Sequence, residues 1–178
     1  TVLIIISDHG TSLGEKYDEK FYGVFVYEDT INIFCIMYVP DKSPKIITKQ
    51  CSTIDLYPTI AELAGIQIEN KSKIQGESLL RLIDNPSAKD REVFVETGGL
   101  YGPWPSPEKH NVFCVVRNNK KLIYNDTPQT WEFYDLIQDP CELKNIYQED
   151  SDEILNYKKR LYHYFKENEI ITKLNENV

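Results

Sequence analysis

The sequence predicts an α/β chain, its first half a mainly parallel sheet backed by helices and its second half a small antiparallel sheet covered by one C-terminal helix. Three observations predict it. Val2 to Ile6 is a continuous apolar run rich in β-branched residues, the pattern of a strand covered on both faces. Four short strand-like runs, Glu92 to Glu96, Phe113 to Val116, Lys121 to Tyr124 and Trp131 to Leu136, follow later with turn signals among them. Asp150 to Glu169 then starts acidic, turns basic in the middle and repeats its apolar residues at helical spacing. The apolar period switches near Pro86, which divides the chain at 1–85 and 86–178.

Length and charge set the bounds. The 178 residues suffice for one domain with a proper core, or for a piece of a larger one. With 20 basic against 28 acidic residues the formal charge is −8, which argues against a nucleic-acid binder while leaving room for a local cationic pocket. Cys35, Cys51, Cys114 and Cys141 lack the close pairing of a zinc site and read as separate, mostly buried thiols. Two disulfides could be drawn but nothing in the spacing demands them, so the compartment stays open. No stretch reaches the length of a membrane-spanning helix, so no membrane partner is expected, and the apolar start lacks the basic flank and cleavage site of a signal peptide. A chain opening inside a buried strand is expected to have lost what preceded it.

The elements follow in order. Val2 to Ile6 ends at Ser7-Asp8-His9-Gly10, an acid and an imidazole at the carboxyl end of a buried strand, where open α/β sheets place ligand sites. Taken alone, these residues serve equally as an ordinary strand-exit turn. Leu13 to Val24 is polar, contains glycine and reads as a loop over that site, with Lys16 and Lys20 as its cations; either lysine also reads as a solvated loop charge. Ile31 to Val39 is a strand by content, closed by Pro40-Asp41. Ser52 or Thr53 caps a helix to Ala64, with Asp55 in its first turn as a cap rather than a catalyst and Gly65 as its stop. Its residues Ile54, Tyr57, Ile60, Ala61 and Ala64 recur at helical spacing and should lie against the sheet. Ile74 to Ile83 carries a short helical turn, and Asp84 to Asp90 reads as a linker. Thr97 to His110, with three glycines, three prolines, Tyr101 and Trp104, reads either as a wall of a substrate pocket or as a packed Ω-type loop. Arg117-Asn118-Asn119-Lys120 reads as a hairpin turn. In the last helix Ile154, Leu155, Leu161, Tyr162 and Phe165 form the inner stripe, Ser151 the cap, and Lys158, Lys159 and Arg160 the outside, while His163 is packed or solvated rather than a ligand.

Several phrases together carry more than any one of them. Ser7-Asp8-His9-Gly10 followed by Leu13-Gly14-Glu15-Lys16 and then Tyr27-Glu28 resembles the second metal-binding strand of the sulfatases in the alkaline phosphatase superfamily. Ile54-Asp55-Leu56-Tyr57-Pro58-Thr59-Ile60, Leu63-Ala64-Gly65-Ile66, Gln75-Gly76-Glu77-Ser78-Leu79-Leu80, and Phe133-Tyr134-Asp135-Leu136 with Asp139-Pro140 agree with that family in order. The resemblance covers nearly the whole chain but only the C-terminal part of the family's architecture. It implies a partial alkaline-phosphatase-like sheet with helices, followed by a small antiparallel sheet packed by a C-terminal helix.

The resemblance also implies a chemistry, cleavage of a sulfate ester of a small molecule or glycan at a bound divalent cation. Asp8 and His9 would be metal ligands. The cation implied is calcium, while His9 in place of the usual amide favours manganese, zinc or iron by ligand type. The family's lysine that contacts the sulfate often stands at the position held here by Gly23, which leaves Lys20 as the nearest candidate. His110 is the candidate for the histidine that protonates the departing alcohol. No Cys/Ser-x-Pro-x-Arg nucleophile signature occurs, and the acidic pair that supplies the other metal ligands is missing, so the isolated chain is expected to be inactive with an incomplete metal site. Two other classes stay open: a phosphonate or phosphate ester hydrolase of the same superfamily, and a non-catalytic assembly module. An exposed sheet edge or face is expected to support self-association.

Overall fold

The computed structural model describes residues 1–16, 20–85, 88, 90–100 and 110–174, with the side chains of Lys71, Gly99, Leu100 and His110 outside that description. Along the chain run β1 (Leu3–Ile6), β2 (Ser12–Leu13), β3 (Lys20–Phe21), α1 (Glu28–Ile31), β4 (Cys35–Tyr38), α2 (Leu56–Leu63), α3 (Leu80–Asp84), β5 (Val93–Leu100), β6 (His110–Arg117), β7 (Lys120–Asn125), β8 (Thr130–Asp135) and α4 (Asp152–Glu167). They form two compact units, one of Thr1–Leu3 with Met37–Val93, the other of Ile4–Ile36 with Phe94–Val178. No helix among the described residues is long and apolar enough to cross a membrane.

The second unit is built on one sheet with strand order β5-β6-β7-β8. β6 pairs antiparallel with β7, and β7 with β8. Asn118 and Asn119 make the β6–β7 turn with φ of 50° and 57°, positive at both central positions as the right-handed twist of a two-residue hairpin requires, and Asn tolerates that region better than most residues. Both faces of the sheet are buried. On one, Phe113, Val115, Leu122, Tyr124 and Phe133 meet Ile154, Tyr157, Leu161 and Phe165 of α4. On the other, Val112, Cys114, Val116, Ile123 and Tyr134 meet Phe25, Val26 and Tyr27. The alternation of successive β6 residues between the two clusters is the period-2 geometry of a strand sandwiched between two layers.

The first unit turns on Asp55. A 3-10 turn, Thr53–Asp55, leads into α2, and the Asp55 carboxylate, with its side chain 2% exposed, lies 2.6 Å from the Arg91 guanidinium. It also accepts the backbone N–H groups of Ser52 at 2.8 Å and Glu77 at 2.9 Å. The structural role expected for Asp55 is therefore met. Gly76 faces this turn so closely that a Cβ there would stand 2.6 Å from the Ile54 carbonyl carbon and closer still to its oxygen. Only glycine allows that approach.

Several sequence expectations need correction. β1 is not covered on both faces, since Leu3 and Ile5 are 54% and 48% exposed. In α2 the residues turned inward are Pro58, Thr59 and Ala61, while Ile54, Tyr57 and Ile60 are exposed. The inward side is chosen by polar ties: Thr59 donates to the Asp55 carbonyl and accepts the Leu79 amide, which holds the Gln75-to-Leu80 phrase on that side. The strand expected from Ile31 begins only at Cys35, because Glu28–Ile31 closes a helical turn with Ile31 N–H donating to Tyr27 O. Three of the four cysteines, Cys35, Cys51 and Cys141, are exposed free thiols, and only Cys114 is buried. On α4, Leu155 is exposed and Lys158 is drawn in, its ammonium 4.8 Å from the Trp131 ring and 5.2 Å from the Tyr147 ring. Cation–π attraction and apolar cover for its stem explain that inward turn. His163 is solvated, 3.1 Å from Glu167.

Candidate metal and ester site

The site is assembled from the end of β1. Ser7 N–H donates to Phe34 O and Ser7 Oγ accepts the Phe34 N–H, both at 3.3 Å, which pins the strand exit beside the approach to β4. Gly10 N–H then donates to Thr30 O at 2.8 Å. A Cβ on Gly10 would come within 3.0 Å of the Asp29 carbonyl carbon and closer to its oxygen, so the turn lies directly on the α1 backbone and glycine is required there.

Asp8 and His9 project from this turn. Asp8 Oδ1 accepts the His9 backbone N–H at 2.9 Å. His9 Nδ1 is 2.7 Å from Gly10 O. A carbonyl oxygen only accepts, so Nδ1 carries a proton and donates, which leaves Nε2 as the ring nitrogen that can face a ligand. Nε2 lies 3.5 Å from Asp8 Oδ2. A metal-bound histidine characteristically donates its other ring N–H to a carbonyl, and ligand atoms this far apart can share one cation, so these two residues fit part of a divalent-metal shell. The Tyr22 ring covers one face of the imidazole, with centroids 3.8 Å apart and planes tilted by 35°. Asp8 and His9 side chains are 85% and 37% exposed, open to a ligand. Among the described residues no group of three or more His, Cys, Asp or Glu could hold a metal ion.

Lys20 lies exposed on β3, paired in register with Leu13. His110 opens β6, but its side chain, like residues 101–109 of the Gly/Pro-rich loop, lies outside the described residues. Lys16 is not a solvated loop charge: its ammonium donates to Glu142 O and sits 4.8 Å from the Tyr27 ring and 5.2 Å from that of Tyr134.

Sequence reasoning missed a buried polar cluster beneath the site. Lys121, with a wholly buried side chain, places Nζ 2.7 Å from Glu28 Oε1 and 2.9 Å from Glu142 Oε1 as ion pairs and donates to Val26 O at 3.1 Å. Burial opposes that charge, but the carboxylates of Glu142 and Glu28 help to offset it, and the ammonium is held above the ordinary lysine pKa. Burial pushes the Glu142 carboxyl up, against the pull of Lys121. The Cys114 thiol, buried beside them, is pushed up to about 12 and is no nucleophile. Alongside, Glu132 accepts from Tyr27 Oη at 2.8 Å, from Asn125 Nδ2 at 2.7 Å and from Tyr134 Oη. The available signal was parity: Lys121 shares the inward parity of Ile123 on β7, and a charge at a core-facing strand position demands a partner.

Comparison with known proteins identifies the family of the chain. A family model described as N-sulphoglucosamine sulphohydrolase, C-terminal, matches residues 16–167. Arylsulfatase K of Rattus norvegicus is 32% identical over 155 residues, covering 82% of this chain and 26% of that protein. The N-acetylglucosamine-6-O-sulfatase of Bacteroides thetaiotaomicron is 29% identical over 156 residues, covering 83% of this chain and 26% of its own. The chain thus spans about a quarter of the length of these curated relatives. Among solved structures, a 2-O GAG sulfatase superposes with a TM-score of 0.78 at 20% identity, over 94% of this chain and 36% of its own. A phosphonate monoester hydrolase from Silicibacter pomeroyi gives a TM-score of 0.70 at 20% identity, over 97% of this chain and 35% of its own. These two likenesses show the fold, and the family match, spanning most of the chain, carries the assignment: the chain belongs to the C-terminal family of N-sulphoglucosamine sulphohydrolase-type sulfatases.

Proposed function

We propose that this chain contributes Asp8 and His9 as one part of a divalent-cation site in a sulfuric ester hydrolase acting on a sulfated small molecule or glycan. The observation that carries the reading is the His9 ring, held with Nδ1–H on Gly10 O and Nε2 beside Asp8 Oδ2. A bound cation would polarise the ester oxygen. The chain's own residues orient the ligands: Gly10 docks the turn, Tyr22 covers one imidazole face, and the carboxylate and ring present one oxygen and one nitrogen donor outward. That donor pair suits manganese or zinc as well as the calcium implied by kinship. Lys20 is proposed to contact the sulfate and His110 to protonate the leaving alcohol. Relatives that act on sulfated sugars, among them a structure holding D-glucosamine-2-N,6-O-disulfate, support a saccharide ester as substrate.

Two ligands fall short of the roughly four of zinc or six to eight of calcium. The 178-residue chain alone is therefore expected neither to bind calcium tightly nor to turn over an aryl sulfate. Calorimetric titration with calcium, manganese and zinc, with chromogenic aryl sulfate and aryl phosphonate assays on the chain and on Asp8→Ala, tests this. Turnover by the chain that vanishes in Asp8→Ala would show a nucleophile within these residues and overturn the partial-site reading. The same segment within a full-length relative should bind the cation and hydrolyse sulfate in preference to phosphonate; the reverse preference would move the family member to phosphonate ester chemistry.

A further inference from the structure

The Tyr27-Glu28 pair follows the candidate site in sequence, yet both side chains point away from it. Tyr27 Oη donates to Glu132 and Glu28 Oε1 receives the Lys121 ammonium, so each is spent on the sheet beneath. The same short segment carries the contacts that seat the Asp8–His9 turn: Thr30 O accepts Gly10 N–H, and the Asp29 carbonyl lies against the Gly10 Cα. Glu142 closes the arrangement from a third side, its Oε2 accepting the Glu28 backbone N–H at 2.7 Å while its Oε1 holds Lys121 at 2.9 Å. A single buried ammonium thus ties together residues that begin α1, the sheet strand β7 and the loop after β8.

We propose that Lys121 is a positioning residue for the candidate cation site, acting through Glu28 and α1 to fix the Asp8–His9–Gly10 turn in place. The inference rests on reading Asp8 and His9 as cation ligands, and it adds to that reading the part of the molecule that holds them. The physical reason for using a buried ion cluster here is directional. An apolar contact lets a four-residue helix slide, whereas an ammonium that bonds to Val26 O and pairs with two carboxylates at short distances sets where Val26 O and Glu28 stand, and through them where Thr30 O meets Gly10. A helix this short has little intrinsic stability of its own.

The test uses the full 178-residue chain. Lys121→Met combined with Glu28→Gln and Glu142→Gln removes all three charges together, so no lone charge is left buried and the sheet keeps its packing volume. Lys120→Met, whose ammonium pairs with Glu153, is the control for a neighbouring lysine. Two quantities are read by NMR. The first is hydrogen exchange of the Gly10 amide against that of Asp126, which bonds to Asn111 O within the same unit. The second is the paramagnetic broadening of Asp8 and His9 signals by millimolar manganese. In the triple variant Gly10 exchange should rise at least tenfold with Asp126 within about twofold, and the manganese concentration for half-broadening should rise about tenfold. Glu28→Gln alone, which keeps the Oε1 acceptor, should hold Gly10 exchange within about twofold of the unaltered chain, a rescue that a general loss of stability would not produce. Gly10 exchange that rises no more than that of Asp126 in the triple variant, or an unchanged manganese requirement, overturns the positioning role. Manganese that leaves Asp8 and His9 unbroadened in the unaltered chain overturns the cation reading itself, and is distinguished because it appears before any substitution is made.

Discussion

Replacing Asp55 by alanine is expected to uncouple the first unit, and the size of the effect follows from its contacts. The carboxylate accepts two backbone N–H groups, from Ser52 at 2.8 Å and Glu77 at 2.9 Å, and lies 2.6 Å from the Arg91 guanidinium. A hydrogen bond to a charged acceptor contributes about 1.5–3 kcal/mol. Removing one partner of a buried ion pair costs about 3–5 kcal/mol. These terms overlap, and the Arg91 side chain, 15% exposed, can turn toward water once released, so the sum is cut to about 4 kcal/mol. That is a large share of the ~5–15 kcal/mol that holds a typical domain together. Asp55→Asn keeps one acceptor oxygen and loses the charge, and about half the cost is expected. The assay is a urea titration followed by NMR at the Thr59 and Leu79 amides, since Leu79 N–H donates to Thr59 Oγ1 across the same junction. A loss under about 1 kcal/mol in the alanine variant would refute the view that this carboxylate organises the unit.

Gly76→Ala should destabilise the same unit by about 3 kcal/mol, at the top of the usual range for overpacking, because the obstructing atoms are the Ile54 peptide rather than a movable side chain; thermal melting followed by circular dichroism checks it. Asp139 accepts the Leu143 and Lys144 N–H groups, and these bonds hold its carboxyl below the ordinary aspartate value of 3.8. A depressed folded pKa gives stability that is present above the unfolded value and lost as pH falls through the folded one, so the two amide signals should shift together only in acid below about pH 3.8. Exposed Ile5 on β1 and Ile36 on β4, both in the second unit, should drive concentration-dependent association, measured by sedimentation, and Ile36→Lys should weaken it; a monomer at every concentration would count against these residues as an interface.

What the sequence by itself determined is what depends on near neighbours in the chain. The apolar run of β1, the Asn118-Asn119 hairpin, the helix after Ser52 and the amphipathic α4 were all legible, because backbone sterics, capping and apolar period act within a few residues. The Asp8-His9 pair at a strand exit was legible for the same reason, and the ordered family phrases pointed to the kinship that the family match established. Where each apolar face would go was decided only by the tertiary structure. Ile54, Tyr57, Ile60 and Ala61 have helical spacing, but spacing names a stripe and not the side that is covered: Ala61 is buried as expected, while the Asp55–Thr59–Leu79 ties turn Pro58 and Thr59 inward in place of the other three. Lys121, Glu142 and Glu28 are separated by up to 114 residues, so no local rule could bring them together. A charge buried in an apolar strand becomes tolerable only when distant carboxylates arrive to meet it, and that meeting is a property of the folded chain.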